Sequence, residues 1–497
     1  LLAPPHLKIM SWFASASADA GSKLHPVQLA FDQEALYGPL TDEDTAWVAT
    51  SSGFITETQI WYGVTPSGGL IMCQIIHSSV GVLLRLGLEQ SRSAIIGSLK
   101  GMAGCPLMDT EARYHLPFNP DALGRLTILY LLSTHRVWYP SIQFTFRYVD
   151  PAKKVHVWKS TSVTNFTVAP SPKVDRRSSK SDQFTITVDP AQPHKYTIEG
   201  KHDDDVAISL VYERLTEGWK VGAGPRGGMS YFGQLKDGAA KGTAPDITAG
   251  GDGYAIHRFW PRCAVTGIAR IGSEVIDLAG TRGMFVHAIQ GMRPNVLAAK
   301  WNFATFQSSA EGGEGVALTM MEFTTTPAYG SKKVNIGSVV VGDKLVAITA
   351  GGEGVEGTSV ATHKNTVVDK ETEYDAPGSI EYEWNGYTLF NTEGTLVASA
   401  KAPKTQAKLT LDLLTSAPGE PYATRGLVEK VDVLGQIPYL VKKFVNYAAG
   451  TKPYIYTWLN PAKASITVPS DLASPASEET KTIEVEGTVF NEATFIS

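Results

Sequence analysis

The sequence predicts a mainly β protein of two domains, each built as an antiparallel sandwich or barrel. Three observations support this fold class. The chain has 497 residues, which is too long for one ordinary hydrophobic core. It contains 47 glycines and 28 prolines, which favour many turns between short strands. Runs in which apolar and polar residues alternate recur at short spacing, with hardly a helical stripe among them.

The overall charge and the cysteine content exclude several classes of protein. A net charge of -5 argues against a nucleic-acid partner, because nucleic-acid-binding proteins normally present a basic face. The three cysteines, Cys73, Cys105 and Cys263, form no paired framework, which favours a reducing compartment. No run of 18 apolar residues and no secretory signal pattern occurs, so we expect any membrane contact to be peripheral.

Residues 1–43 are predicted to be an N-terminal segment that is largely disordered. If translation starts at Met10, Trp12 and Phe13 lie near the start of a short segment that can touch a bilayer surface. Serine, alanine and glycine then follow instead of a repeating apolar face, so disorder is favoured over a membrane helix.

The first domain is predicted to span residues 44–227. Its strand-like runs begin with FITETQIWYGV and LIMCQIIHSSVG and resume with VWYPSIQFTFRYVD near residue 137. Residues 82–136 lie between them and show neither strand alternation nor a sustained helical stripe. Since hairpin loops usually have about 2 to 5 residues, we interpret this insertion as a translated intron or another gene-model error. A genuine lid over the mouth of a barrel is the alternative.

Residues 228–253 are rich in glycine, alanine and lysine and are predicted to be a linker to a second domain, 254–497. The second domain again consists of alternating runs, such as VALTMMEFTTT and KVNIGSVVVGDKLVAITA. One amphipathic helix is predicted near its end, over 437–450, where apolar residues recur at helical spacing. Pro438 suits the first turn of this helix and Gly450 suits its end.

The stretch 281–307 contains two strand-like runs with mixed faces. Phe285, His287 and Ile289 share one face of the first run; Trp301, Phe303 and Thr305 share one face of the second. Aromatic bulk combined with a few hydrogen-bonding groups suits the wall of a ligand cavity. The alternative is a buried barrel wall with a satisfied core histidine.

The run His257-Arg-Phe-Trp-Pro-Arg-Cys263 departs from a plain core strand. Its proline predicts an edge or a bulge, because proline cannot donate a hydrogen bond to the ladder. Arg258 and Arg262 flank Trp260, which indicates either a stabilising cation–π contact or a contact with a polar head group.

No motif predicts catalysis, a metal site or a cofactor. The GxGxxG at 222–227 contains a proline and is not followed by a helix, so it cannot hold a pyrophosphate. The acidic run at 201–205 is interpreted as a solvated hairpin tip. No GxSxG, HExxH, P-loop or zinc-ligand spacing is present.

Several longer motifs resemble the fungal survival factor 1 family: HRFWPRC, RGMFVHAIQGMRP, AAKWNFATFQ, MMEFTTTPAYGS, GTKPYIYTW and the terminal FNEATFIS. The resemblance covers nearly all of 40–497 except 82–136, and without that insertion HSSVG would run almost directly into VWYPSIQFTF, as in the family. It implies two lipocalin-like (calycin) β-barrels side by side. It also implies a non-enzymatic carrier of ceramide in sphingolipid homeostasis that promotes survival under oxidative stress. Such proteins are found in the cytoplasm and nucleus and peripherally at ER and Golgi membranes.

From the mixed strand faces and the run around Trp260, the ligand-contacting residues are predicted to be Trp260, Phe285, His287, Trp301 and Phe303, and no cofactor is expected. An enzymatic alternative remains, since fungal pericyclases of the Diels–Alderase type use a similar double barrel. A pericyclase holds a flexible polyene in a reactive shape and needs no nucleophile. The absence of catalytic motifs therefore does not exclude it.

Overall fold

The structure is a computed structural model. It describes residues 23–48, 55–79, 141–169, 174–224, 226–234, 251–309, 315–353, 355, 358–414, 425–433, 452–474 and 478–496. Two large antiparallel sheets account for most of these residues. The predicted insertion at 82–136 and the predicted helix at 437–450 lie outside the described residues.

The first sheet contains the strands from the N-terminal part of the chain. They are β1 (Leu24–His25), β2 (Tyr37–Pro39), β3 (Ile55–Val64), β4 (Leu70–Ser79), β5 (Ser141–Asp150), β6 (Val155–Ser162), β7 (Thr167–Val168), β8 (Ser179–Lys180), β9 (Phe184–Thr187), β10 (Lys195–His202), β11 (Val206–Arg214), β12 (Trp219–Val221), β13 (Met229–Phe232), β14 (Gly253–Ile271), β15 (Glu274–Asp277) and β16 (Thr281–Gln290).

The main path of this sheet runs β6-β5-β4-β3-β16-β14-β11-β10-β9-β8-β7. The sheet curls until β6 approaches β10. There the hydroxyl of Thr161 lies 3.0 Å from Nδ1 of His202. This curled sheet is the first barrel.

The second sheet follows in the chain. Its strands are β17 (Ala298–Gln307), β18 (Val316–Thr325), β19 (Lys333–Val341), β20 (Lys344–Gly352), β21 (Val360–Lys364), β24 (Ser379–Gly386), β27 (Thr405–Asp412), β28 (Leu427–Asp432), β29 (Tyr454–Pro469) and β30 (Thr480–Phe495). Two small sheets accompany it, one formed by β22 (Val367–Val368) and β23 (Asp375–Ala376) and one by β25 (Leu389–Thr392) and β26 (Thr395–Ala398).

The strand order in the second sheet is β20-β19-β18-β17-β30-β29-β27-β24-β21, with β28 beside β29. This sheet also curls. The backbone N–H of Ala361, on the last strand of the path, donates to Oε2 of Glu322 on β18 at 3.0 Å. It forms the second barrel, and the predicted fold class of two lipocalin-like antiparallel barrels is confirmed.

Helices are short in the described part of the chain. Helix α1 (Asp42–Thr45) begins with a capping box in which Thr41 and Asp44 satisfy each other's backbone N–H groups. Helix α2 (Pro294–Leu297) has proline in its first turn and joins β16 to β17. The only other helical segments described are short 3₁₀ turns, at Val27–Leu29, Gln33–Ala35 and Pro327–Tyr329.

The predicted domain boundaries need correction. Strands β14 and β16 lie in the first sheet, where β14 pairs with β11 and β16 pairs with β3. The division between the two sheets therefore falls at 291–297, after β16, and not at residue 254. The predicted linker contains strand β13, and the predicted disordered N-terminal segment contains β1 and β2. Alternation identifies a strand, but long-range pairing decides which sheet the strand joins.

The three largest hydrophobic cores of the described residues follow from this arrangement. One fills the first barrel and includes Trp61 and Phe285. A second lies inside the second barrel and includes Phe306 and Trp384. The third lies between the two sheets and joins residues of both, such as Tyr62 and Phe303. Strands next to the third core are therefore buried on both faces.

Candidate ligand site in the second barrel

Trp260 and Phe285 lie together in the core of the first barrel. Tyr196 contacts both rings, with centroids 4.9 Å from each, and Trp61 packs 5.1 Å from Phe285. All four side chains are almost completely buried. Aromatic rings at these separations contact one another directly. The interior of the first barrel is therefore filled by side chains at this level, and a ligand contact for Trp260 and Phe285 stays a prediction.

His287 belongs to a buried polar cluster that attaches α1 to the first barrel. Its Nε2 lies 2.7 Å from Oε1 of Glu57, and its Nδ1 lies 3.0 Å from the carbonyl oxygen of Asp44. The Asp44 carboxylate in turn accepts hydrogen bonds from Lys220 Nζ at 2.7 and 2.8 Å. His287 thus has protein partners for both ring nitrogens, as a satisfied core histidine does.

The charge of Asp44 is stabilised by its neighbours. Burial acts to raise the pKa of Asp44, but hydrogen bonds from Lys220 and from the Thr41 backbone outweigh it. The charge of Arg258 acts in the same direction, so the pKa lies below its ordinary value of 3.8. The cluster therefore holds an ionised carboxylate at neutral pH.

Trp301 and Phe303 do not face the interior of the second barrel. Phe303 lies in the core between the two sheets, stacked on Tyr62 with ring centroids 5.2 Å apart. Trp301 packs at the margin of the same core, 4.9 Å from the ring of Phe323. The predicted cavity wall on this face of β17 is thus the inter-sheet core, and the opposite face of the strand lines the barrel.

Pro261 produces the predicted bulge. The register of β14 against β16 shifts between Trp260 and Cys263. The cation over Trp260 is Arg214, 5.4 Å from the ring centroid, and not a flanking arginine. Arg258 is directed to Asp44, and Arg262 reaches the second sheet. The predicted cation–π contact of these two arginines with Trp260 was therefore wrong. Because of the bulge, the side chain of Arg262 does not follow the regular alternation of side chains between the two faces of the sheet.

The inward face of β17 carries Lys300, Asn302, Ala304 and Phe306, and register extends each of them into a row across neighbouring strands. In the order β30, β17, β18, β19 and β20, row one is Phe495, Lys300, Thr324 and Lys333. Row two is Ala493, Asn302, Glu322, Asn335 and Gly351. Row three is Asn491, Ala304, Met320, Gly337 and Thr349. Row four is Val489, Phe306, Leu318, Val339 and Ala347.

Polarity changes steadily along these rows. The first row holds two lysines, the second a carboxylate and two amides, and the fourth only apolar residues. Successive rows are about 6.6 Å apart, because inward-facing residues alternate along a strand. The barrel interior therefore changes from charged to apolar over about 20 Å.

A chain of hydrogen bonds connects the first two rows. Lys300 Nζ lies 3.0 Å from Nδ1 of His363, and His363 Nε2 lies 2.8 Å from Oδ1 of Asn302. The Nδ2 of Asn302 donates to Glu322 Oε1 at 3.1 Å, and Asn335 Nδ2 donates to Glu322 Oε2 at 2.9 Å. Lysine only donates, so the chain fixes His363 as the tautomer protonated at Nε2.

Burial shapes the charges at this end of the barrel. It lowers the pKa of Lys300 to about 8, with help from the charge of Lys333 and against the attraction of Glu322. Burial, followed by the charges of the two lysines, lowers the pKa of His363 to about 3. His363 is therefore neutral at pH 7, while most Lys300 side chains remain charged.

The second and third rows contain buried polar atoms without a protein partner. They include Oδ1 of Asn335 and Oγ1 of Thr349, both in fully buried residues. Buried polar atoms in folded proteins normally bond to protein, water or ligand. Small side chains lie beside them, and the interior core includes Ala304, Ala347 and Ala493. Each of these atoms retains a lone pair for a further hydrogen bond.

A groove of about 730 Å³ opens in the wall of this barrel near its apolar end. Strands β27 and β28 pair with different parts of β29, so residues 459–463 of β29 have neither strand beside them. Leu411, Ala462 and Gly487 contribute to the groove. At its rim Arg425 pairs with Asp412 at 3.2 Å and Lys463 pairs with Glu486 at 2.8 Å.

Sequence reasoning missed the inward residues of the second barrel. A signal was present, because Lys300 and Asn302 occupy alternate positions opposite the aromatic face of the same run. Among residues the structure describes, no helix is long and apolar enough to cross a membrane. Within the same ranges, no group of three or more His, Cys, Asp or Glu side chains is placed to hold a metal ion.

Comparison with known proteins identifies similar sequences over most of the chain. The model of the Svf1 family matches residues 10–88 and 108–497. The ceramide-binding protein svf1 of Aspergillus fumigatus is 27% identical, over 98% of this chain and 100% of that protein. The ceramide-binding protein svf-1 of Neurospora crassa is 28% identical, over 98% of this chain and 100% of that protein. The ceramide-binding protein SVF1 of Debaryomyces hansenii is 30% identical, over 78% of this chain and 85% of that protein.

The solved structures that align with this chain have lower sequence identity. The crystal structure of CghA with Sch210972 aligns with a TM-score of 0.49 at 10% identity, covering 96% of this chain and 98% of that one. Kievitone hydratase from Nectria haematococca aligns with a TM-score of 0.43 at 9% identity, covering 94% and 98%.

Proposed function

This chain belongs to the Svf1 family, and we propose on that premise that it binds ceramide or a related sphingolipid without transforming it. The observation that carries the proposal is the change from polar to apolar rows along the interior of the second barrel. Relatives that align with nearly the whole chain are named ceramide-binding proteins. A ligand with a polar amide head and apolar chains has the chemistry that these rows match.

The head group would lie beside the second and third rows. Its amide and hydroxyl groups would bond to atoms such as Oδ1 of Asn335 and Oγ1 of Thr349, which have no partner in the protein. Pairing a buried polar atom removes a desolvation cost of about 1–3 kcal/mol. The head would then lie at the lysine end of the barrel.

The chains would extend toward the fourth row, over Phe306, Leu318 and Val339. Each methylene that leaves water contributes about 0.8 kcal/mol. Affinity would therefore come mainly from the chains, and selectivity would come from the head.

The wider role follows the family resemblance. We extend the proposal to transfer of ceramide between membranes and to survival under oxidative stress. The protein would act in the cytoplasm and nucleus and bind ER and Golgi membranes peripherally. Deleting the gene and measuring growth on peroxide tests the survival role, and it would be contradicted if growth were unchanged.

Native mass spectrometry of the full chain tests the lipid proposal directly. After incubation with vesicles that contain ceramide, we expect a complex with one ceramide. The variant Ala304→Met fills row three and should abolish it. The control Ala317→Met makes the same change in the core between the sheets. Each of the two variants should lose about 1–3 kcal/mol of stability from overpacking.

Two results would contradict the proposal. One is the absence of bound sphingolipid together with no ceramide transfer between vesicles. The other is equal ceramide binding by Ala304→Met and Ala317→Met, which would mean that the ligand binds elsewhere. Conversion of a polyene substrate by the purified chain would instead favour the pericyclase alternative.

A further inference from the structure

Lys300 lies at the mouth of the second barrel without a carboxylate at ion-pair distance among the described residues. Its Nζ is bonded to His363 at 3.0 Å and lies 5.2 Å from the centroid of the Phe495 ring. Both neighbours are neutral. An ammonium group in a half-buried position is costly unless an anion compensates its charge.

The nearest carboxylate is already occupied. Glu322 accepts hydrogen bonds from Asn302, Asn335 and the Ala361 backbone, and Lys333 Nζ lies 3.3 Å from its Oε1. Lys333 thus forms the ion pair with Glu322, which is the one buried carboxylate of the site. Lys300 receives only a longer-range attraction from Glu322, and a weaker one from the exposed Asp375.

The buried part of the mouth therefore has an excess of positive charge. Two lysines face it, the buried Glu322 opposes them, the second carboxylate, Asp375, is exposed, and His363 is neutral. Lys300 retains N–H donors, because only one of its three is directed to His363. Thr324 lies between Lys300 and Lys333 in the same row and adds a hydroxyl group. A cationic donor beside a hydroxyl group suits the oxygens of a phosphate.

We propose that the mouth of the second barrel binds a phosphate monoester, with Lys300 as its main ligand. The site would then prefer a phosphorylated sphingolipid to the same lipid with a neutral head. The proposal rests on the lipid-binding function proposed above, and it adds a class of ligand to it. The phosphate could belong to a lipid head group or be free in solution, and the experiment separates these sources.

The experiment compares fluorescent short-chain ceramide with its 1-phosphate, titrated against the full chain at low salt. We expect the phosphorylated lipid to bind about tenfold more tightly, the ratio typical of one charge-assisted hydrogen bond. In Lys300→Gln the preference should fall below about twofold, because the amide keeps a donor for His363 but loses the charge. High salt should reduce the preference of the natural chain as well.

Lys332→Gln is the matched control. Lys332 is adjacent to Lys333 in the chain, but it forms an ion pair with the exposed Glu353 on the surface. This variant should keep the preference of the natural chain. Equal affinity of the natural chain for the two lipids would overturn the proposal. A preference that survives in Lys300→Gln, or that both variants lose equally, would overturn it too.

A second measurement is independent of lipid binding. Carbon-13 NMR of reductively methylated lysines follows the titration of Lys300, which we expect to move to higher pH when ceramide 1-phosphate is added. If inorganic phosphate alone produces the same movement, the site serves free phosphate, and the preference for phosphorylated lipid is wrong. If ceramide fails to bind but the phosphate response of Lys300 persists, the lipid-binding function fails and the anion site stands. If neither phosphate compound moves the titration, the anion site is excluded.

Discussion

The ring of Tyr62 on the first sheet stacks on the ring of Phe303 on the second, with centroids 5.2 Å apart and planes inclined by 26°. Phe490 packs against Tyr62 from the second sheet at 5.4 Å. These rings belong to a continuous core between the barrels, where neither sheet presents a solvated face. The two barrels are therefore stabilised by each other's presence.

Substitutions on opposite faces of β17 should separate stability from ligand binding. Phe303→Ala and Phe306→Ala each remove a buried ring, and each should lower the free energy of unfolding by about 3–5 kcal/mol. Only Phe306 faces the interior of the second barrel, so only Phe306→Ala should weaken ceramide binding, by about tenfold. Urea unfolding and native mass spectrometry measure the two effects. Loss of ceramide in Phe303→Ala at temperatures where it is folded would contradict the assignment of faces.

Arg262 should contribute strongly to stability. Its guanidinium, from the first sheet, donates to Gln307 Oε1 at 3.3 Å, to the carbonyl oxygen of Val316 at 3.1 Å and to that of Ser308 at 3.2 Å. Arg262→Met removes the donor of Gln307 Oε1 and of the Ser308 carbonyl oxygen, whereas the Val316 carbonyl oxygen still accepts from Ser308, and we expect a loss of about 3–5 kcal/mol in urea unfolding. The control Arg270→Met, exposed on the same strand, should change stability by less than about 0.5 kcal/mol. Similar losses in the two variants would show that Arg262 adds nothing specific.

Acid should weaken the cluster around Asp44. Because the pKa of Asp44 is lower in the folded chain than its ordinary value of 3.8, the unfolded chain binds a proton first as pH falls. The stability that the carboxylate contributes is therefore fully present above about pH 5 and is lost as pH falls through the folded pKa. Asp44→Asn should be about 3–5 kcal/mol less stable than the natural chain at pH 7. Its free energy of unfolding should fall less than that of the natural chain when the pH is lowered. Thermal unfolding between pH 7 and pH 3 measures the stability of the two proteins as a function of pH. If their stabilities fall in parallel, this account is contradicted.

The segment 82–136 is predicted to be absent from the mature protein. Ser78 of β4 is paired with Ser141 of β5, so the strands on either side of it are direct neighbours that a short turn can join. The family match includes 82–88 and 108–136 and leaves only 89–107 unmatched, so it supports an insertion for that part of the segment alone. A chain without 82–136 should be about 2 kcal/mol more stable, because closing a shorter loop costs less entropy. Sequencing the spliced transcript decides the origin, and a mature message that still encodes 82–136 would exclude the intron interpretation.

The sequence predicted the class of fold because strand alternation and turn residues are local signals. Pro261 likewise predicted its bulge, since a missing N–H has the same effect in any sheet. The sequence did not predict which face of β17 lines a barrel. Both of its faces are buried, so Phe303 and Phe306 look equally internal in a sequence.

The contacts of charged groups also could not be predicted from local sequence patterns. Trp260 is covered by Arg214, which is 46 residues earlier in the chain and reaches it only through the pairing of β11 with β14. Glu322 collects donors from β17, β19 and β21. No spacing rule connects these positions, and the polar rows become visible only when the register of five strands is known.

The short passage 291–297 also limits how such proteins can recombine. All described strands before it belong to the first sheet, and all described strands after it belong to the second or to the small sheets beside it. A genetic crossover there would exchange complete barrels between relatives, whereas one near residue 254 would leave β14 and β16 with a foreign first sheet. Even the favourable crossover must bring together a matching pair such as Tyr62 and Phe303. The two halves are therefore expected to be inherited together, with their shared core as the constraint.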